Sequence, residues 1–191
     1  MGMQNSSLEI KGSLFQFISS LLKKHKVRGV LVGGYALNAN KVQRMTFDID
    51  FMVTADDCYK IEPDLIKAGY SVSNRQDAFV QFKGEKHGLR DLDFLIGDRQ
   101  TLEIIINQGK QVVIAGETFT VPSVFHLIAM KLHSMTNEKR REIKDLPDVV
   151  QLMKENAIDP LDNSVREIFR KYEGTDLYKR IVEAVGTANG K

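Results

Sequence analysis

Asp48 and Asp50 stand one residue apart inside an apolar stretch, TFDIDFMV at residues 46–53. Read as a strand, this stretch sends successive side chains to opposite faces. The two carboxylates then share one face, and Phe47, Ile49 and Phe51 share the other. On one strand face the acids lie roughly 6–7 Å apart, and at an effective dielectric of ~20 they repel by about 2.5 kcal/mol. RDLDFLI at residues 90–96 repeats the pattern, with Asp91 and Asp93 on one side and Leu92, Phe94 and Ile96 on the other. If the two strands pair, three or four carboxylates converge, and such a patch calls for a cation. Hard divalent ions with oxygen ligands, Mg²⁺ above all, meet that need and keep places for water and substrate phosphate. Two such ions clamp the attacking and leaving oxygens of an in-line displacement at phosphorus. Asp93 lies deeper in its strand and is the expected third ligand; Asp91, nearer the strand mouth, is the alternative. The competing structural reading is a solvated acidic face on a half-exposed sheet.

Gly33 and Gly34 separate the apolar strand at residues 30–32 from a short helix opening at Tyr35. Without side chains the backbone there can come close to a phosphate, and a helix start offers free N–H groups. A tight strand-to-helix turn would use the same glycines. Neither a Gly-x-x-x-x-Gly-Lys-Ser/Thr loop nor a Gly-x-Gly-x-x-Gly fingerprint occurs, which excludes the P-loop and dinucleotide-binding readings. His126 and His133 lie seven apart on one expected helix, with no third ligand to make a zinc site.

The elements that must position these residues alternate. An amphipathic helix over 7–25 precedes strand 30–32, and strand 46–53 follows the glycine turn. Thr54 starts a helix to about residue 68, which Pro63 should kink or divide. Strands 71–73, 78–82 and 89–96 come next, then a helix over 99–107 and a hairpin, 112–114 with 118–121, turning at Ala115-Gly116. Helices over 123–135, 146–156, 163–172 and 176–186 close the chain, and the tail from 187 should fray. This predicts an α+β fold: a mixed sheet core over residues 1–122 and a helical C-terminal part, 123–187, packed on it as one compact unit.

Composition sets the outer limits. A net charge of +2 does not by itself announce a nucleic-acid or membrane surface. The one cysteine, Cys58, excludes an intramolecular disulfide and suits a reducing compartment. Cys58 is expected to pack as a small hydrophobe. No apolar leader or span is apparent, so a cytoplasmic location is the expectation.

Taken together, Gly33, Gly34, Arg44, Thr46, Asp48, Asp50 and Asp93 resemble the nucleotidyltransferase superfamily with the DNA polymerase β-type fold. Within it, the chain is most similar to the compact branch of abortive-infection and type IV toxin nucleotidyltransferases. LIAMKL at 127–132 and REIKDLPD at 141–148 continue the likeness, which spans about residues 28–152. One departure is Gly-Gly where many members have Gly-Ser, so the serine hydroxyl is missing. The resemblance implies a core of mixed sheet flanked by helices. It implies two Mg²⁺ ions held by Asp48, Asp50 and Asp93, with Gly33, Gly34, Arg44, Thr46 and Lys131 binding the nucleotide. For Lys131 the structural alternative is a lysine that snorkels to water; for Arg44 it is an ion pair with an aspartate. Asp145 is expected to cap the next helix; a role at the site is the alternative that the resemblance implies. The implied reaction moves an NMP from an NTP, ATP among them, to a hydroxyl acceptor and releases pyrophosphate. The implied partners are the NTP, an acceptor that is a small molecule, a tRNA or a protein, and an antitoxin in the toxin reading, with no membrane. The alternatives are an inactive nucleotide-binding module and an antibiotic-modifying enzyme. A haloacid-dehalogenase-type phosphatase would want Thr or Val where Met52 stands, and a metal-dependent glycosyltransferase would want a longer chain.

Overall fold

The computed structural model describes residues 12–172 and 175–186. Its first helix, α1 (Leu14–Lys24), starts at a capping box. Ser13 Oγ accepts from the Gln16 amide at 3.2 Å, and Gln16 Oε1 accepts from the Ser13 amide at 2.9 Å. Residues 7–11 of the expected helix, and the tail from 187, lie outside the described residues.

Among the described residues seven strands form one mixed sheet: β1 (Val30–Leu31), β2 (Ile49–Val53), β3 (Tyr70–Gln76), β4 (Phe79–Gly84), β5 (Leu92–Ile96), β6 (Lys110–Ile114) and β7 (Glu117–Val121). Their order is β3-β4-β5-β2-β1-β7-β6. β2 and β5 run parallel at the centre, and β1 lies antiparallel to β2. The connecting helices are α2 (Gly33–Ala39), α3 (Ala55–Ala68) and α4 (Arg99–Gln108). Four more helices follow: α5 (Val124–Asn137), α6 (Glu142–Glu155), α7 (Asn163–Lys171) and α8 (Thr175–Gly186). The fold is α+β. It divides into two compact units: the described residues up to Tyr35 with Met45–Pro122, and Ala36–Arg44 with the described residues from Ser123 on.

In the first unit the apolar faces of β2, β4 and β5 meet in an aromatic core. Phe51 stacks on Phe94 with centroids 6.1 Å apart, and Phe82 meets Phe94 edge-on at 5.6 Å. All three are fully buried. Phe47 does not join them: it is 70% exposed. β2 begins only at Ile49, so the alternation that governs a strand has not yet started at residue 47. Cys58 is buried in α3, where burial pushes its thiol up to about 11, as suits a packing residue.

Pro63 does not divide its helix, and the helix expected over 146–156 starts earlier. α3 runs through Pro63, and α6 begins at Glu142, ahead of Pro147. Each proline removes the bond to the carbonyl four residues back. Those carbonyls belong to Tyr59 and Ile143, both exposed residues, where water can take the missing partner's place. In the second unit α5 to α8 bury one apolar stripe each, with Ile128, Leu152, Val165 and Ile181 inside.

Replacing Phe94 by Ala should cost about 3–5 kcal/mol, the usual range for a buried aromatic. Val113, 71% exposed on β6, should tolerate Thr within about 0.5 kcal/mol. Urea unfolding of both variants checks this.

Candidate active site

Chain direction brings the glycine turn to the acidic strand. β1 pairs Leu31 with Phe51, and the Val32 amide donates to the Asp50 carbonyl at 2.8 Å. The chain leaving β1 therefore passes beside Asp50. Gly33 has φ +61, and a Cβ placed there would lie 1.9 Å from Asp50 Oδ2. The carboxylate thus occupies the space a side chain at 33 would need. A Cβ on Gly34 would lie 2.4 Å from Thr46 Cβ. Thr46 Oγ1 in turn donates to the Asp48 carbonyl at 3.2 Å. Both glycines are required by close approach of the acid-bearing segment to the turn.

Across the central pair, register sets Asp50 opposite Asp93. Adjacent strands lie about 4.8 Å apart, so these two carboxylates are near neighbours on one face. Asp91 is otherwise engaged: its Oδ1 accepts from the Gly84 amide at 3.0 Å, which ties it to the end of β4. Asp48 precedes β2 and is exposed. Among the described residues no three His, Cys, Asp or Glu side chains form a ready-made metal cage. The donor set is two facing carboxylates with a third acid two residues upstream. It fits a hard divalent ion that takes a few carboxylates and fills its remaining places with water and phosphate.

Sequence reasoning misses Gln81. It stands opposite Asp93 on β4, and its Nε2 lies 3.2 and 3.3 Å from the two Asp93 oxygens. The available signal was a lone amide between Val80 and Phe82 in the apolar run 78–82.

Arg44 and Lys131 belong to the second unit, where they share Asp148. Lys131 Nζ donates to Asp145 Oδ1 at 2.6 Å and lies 2.8 Å from Asp148 Oδ2. The Arg44 guanidinium pairs with the same Asp148 oxygen. Arg141 Nε bonds Asp145 Oδ2 at 3.1 Å and Ser134 Oγ at 3.0 Å. Three cations thus meet two carboxylates, one positive charge in excess. Asn38 fixes the Arg44 backbone, accepting from its amide at 2.7 Å and donating to its carbonyl at 3.0 Å. Asp145 is not a helix cap: it lies inside α6 and is fully buried. Burial pushes its carboxyl up, but the Lys131 bond and charge and the Arg141 charge more than offset this and hold it below the usual range. Asp148 stands in the run 141–148 that carries the resemblance, but the sequence reading gave it no role, although it follows Asp145 at the i,i+3 spacing that puts both on one helix face.

The chain belongs to the family described as "Nucleotidyl transferase of unknown function (DUF2204)", whose model matches residues 13–183. It is thus an enzyme of the nucleotidyltransferase class, which sets aside the phosphatase and glycosyltransferase readings. Solved structures share the fold. The antibiotic-resistance factor ANT(2'')-Ia superposes with a TM-score of 0.52 at 16% identity, covering 92% of this chain and 91% of that one. The lincosamide antibiotic adenylyltransferase LnuA, lincomycin-bound, gives 0.51 at 18% identity over 75% and 95%. A putative nucleotidyltransferase from Thermotoga maritima gives 0.52 at 16% over 71% and 91%. Comparison by sequence with curated proteins gave no match. No helix among the described residues is long and apolar enough to cross a membrane.

Two outcomes are expected. Gly33→Ala forces Asp50 aside and strains a positive φ, so stability should fall by about 1–2 kcal/mol on urea unfolding. Asp145→Asn takes the carboxylate from Arg141 and leaves Lys131 with Asp148 alone, and should cost about 1.5–3 kcal/mol, the range for a lost hydrogen bond to a charged group. The folded Asp145 has a lowered pKa, so its contribution is complete above the ordinary carboxylate range and is lost as pH falls through the folded value. The acid limb of the stability profile should therefore be shallower in Asp145→Asn than in wild type.

Proposed function

We propose that the chain transfers a nucleoside monophosphate from an NTP to a hydroxyl acceptor in a Mg²⁺-dependent reaction that releases pyrophosphate. The observation that carries this reading is the register that sets Asp50 against Asp93 beside the Gly33 turn. Asp48, Asp50 and Asp93 would hold two Mg²⁺ ions. When bound, these supply charge neutralisation at phosphorus and a more acidic acceptor hydroxyl. The acceptor oxygen bonds to the α-phosphorus, and the bond from that phosphorus to the bridging oxygen breaks. Asp93 takes the acceptor proton, and the electron pair leaves with pyrophosphate. The Gly33-Gly34 backbone cradles the β- and γ-phosphates, and Thr46 braces the loop that presents Asp48. Arg44 and Lys131 are assigned to the charge of the departing pyrophosphate. The positive excess of their cluster supports this. So does the chemistry of an ammonium, which has three N–H donors, one of them given to Asp145, with Asp148 in ion-pair range. In this reading residues 1–122 carry the acids and the glycine turn, and 123–187 supply Lys131 and serve the acceptor, in a reducing, cytoplasmic setting that suits the lone buried Cys58.

Small-molecule hydroxyls are the first acceptors to try, with ATP as first donor. Among similar folds, ANT(2'')-Ia was seen with adenylyl-2''-tobramycin, and LnuA with lincomycin. The toxin-type reading, with a tRNA or protein acceptor and an antitoxin partner, rests on the sequence resemblance.

Incubation with each α-labelled NTP, Mg²⁺ and a panel of aminoglycoside, lincosamide, tRNA and protein acceptors tests the assignment. Label should move to one acceptor class with wild type. Asp48→Ala and Asp93→Ala should each lose at least ~100-fold in rate, about 2.7 kcal/mol of transition-state stabilisation. Transfer that persists in both variants would remove these residues from the mechanism. Absence of transfer to any acceptor, with nucleotide still bound, would favour an inactive binding module.

A further inference from the structure

A polar row crosses four neighbouring strands of the first unit. Register places Asn74 of β3 opposite Gln81 of β4, Gln81 opposite Asp93 of β5, and Asp93 opposite Asp50 of β2. Residues directly opposite one another share a sheet face, so the four side chains stand in line. Hydrogen bonds run along the line toward the acids. Asn74 Nδ2 donates to Gln81 Oε1 at 3.3 Å, and Gln81 Nε2 donates to both Asp93 oxygens, at 3.2 and 3.3 Å.

The row depends on an irregularity. β3 and β4 pair Val72 with Phe82 but then Asn74 with Gln81, so Ser73 is an extra residue. In an unbroken ladder Ser73 would have faced Gln81. The bulge brings in the longer amide of Asn74 instead, and re-aiming a side chain is what bulges beside functional sites do.

We propose that Gln81 is a positioning residue that holds the Asp93 carboxylate beside Asp50 for a divalent cation, and that Asn74 fixes which end of the Gln81 amide faces Asp93. The proposal rests on the reading of Asp50 and Asp93 as the cation-holding pair. The chemistry favours an amide at this place. A lysine or arginine opposite Asp93 would orient the carboxylate but also neutralise it, and would compete with the cation. A glutamine orients it and leaves its full charge. The amide has two unlike ends, and turned round it would set Oε1 against the carboxylate oxygens. A donor from Asn74 to Oε1 prevents that, leaving Nε2 toward Asp93. Partners that orient a metal-binding carboxylate typically carry 10–100-fold effects on affinity or activity.

The test uses the full chain and three variants: Gln81→Met, Asn74→Leu and the double variant. Gln81→Met keeps the shape of the side chain and removes its donors. Mn²⁺ binding is titrated by electron paramagnetic resonance without nucleotide, and NMP transfer and thermal midpoints are measured alongside. In Gln81→Met, Mn²⁺ should bind about 10-fold more weakly and kcat should fall 10–100-fold. Its KM for the NTP and its melting temperature should stay near wild type. Asn74→Leu should show a smaller effect of the same kind. The double variant should be no worse than Gln81→Met, because Asn74 acts only through Gln81. A Gln81→Met protein with a wild-type Mn²⁺ titration overturns the proposal, as does one whose loss of activity merely follows loss of folded protein. Effects that multiply in the double variant overturn the part assigned to Asn74. If wild type moves no label but Gln81→Met still weakens Mn²⁺ binding, the transfer reading fails and the positioning role stands. If wild type is active, Asp93→Ala is inactive and Gln81→Met is unaffected, only the positioning role fails.

Discussion

Two negative charges held opposite each other on neighbouring central strands are an unfavourable thing to build, and the rest of the first unit is arranged to tolerate them. The register that sets Asp50 against Asp93 also sets Phe51 against Phe94. On one face of the sheet the acids repel; on the other the two rings stack, with Phe82 closing the cluster from β4. Because side chains alternate, a slip of one residue would bury the acids and expose the rings at once. Each buried aromatic is worth several kcal/mol on truncation, more than the roughly 3 kcal/mol by which two charges ~5 Å apart repel at an effective dielectric of 20. The apolar face therefore fixes the position of the polar one.

Both units pair buried carboxylates with cations, Asp57 with Lys60 and Asp64 with Lys24 in the first, Asp145 and Asp148 with Lys131 in the second. In the second, Asp145 and Asp148 are spent on Lys131, Arg44 and Arg141, and the buried carboxyl is held charged by that company. Such a cluster fixes the guanidinium of Arg44 at one end of its segment, while Asn38 fixes its backbone at the other. In the first unit Asp93 receives an amide, Asp91 a backbone N–H, and Asp50 the close flank of a glycine. Neutral donors orient a carboxylate without cancelling its charge.

Much of this was legible in the chain because strand alternation is a local signal. The acid–apolar alternation of β2 and β5, the β6–β7 hairpin and the Thr54 cap all follow from residues close in sequence. Phe47 shows the limit: the same alternation extended two residues too far assigns it to the core, because nothing local marks where pairing begins. Long-range partners are the other blind spot. Lys131 meets Asp145 fourteen residues on, and Arg44 meets Asp148 across 104 residues. The bulge that sets Asn74 against Gln81 has no local signature, since it depends on how β3 and β4 share register.

The departure at the glycine turn has a steric cause of the same kind. Many relatives by resemblance carry Gly-Ser there, whereas this chain has Gly33-Gly34. A Cβ on residue 34 would sit 2.4 Å from Thr46 Cβ and 2.6 Å from Thr46 Oγ1, so a serine is incompatible with Thr46 in this place. The threonine hydroxyl already lies where the serine side chain would begin, and it is spent on the Asp48 carbonyl. Residues 34 and 46 are therefore one choice rather than two. Giving up the side chain at 34 lets Thr46 brace the segment that leads into Asp48, and it leaves the turn with backbone N–H groups as its own donors.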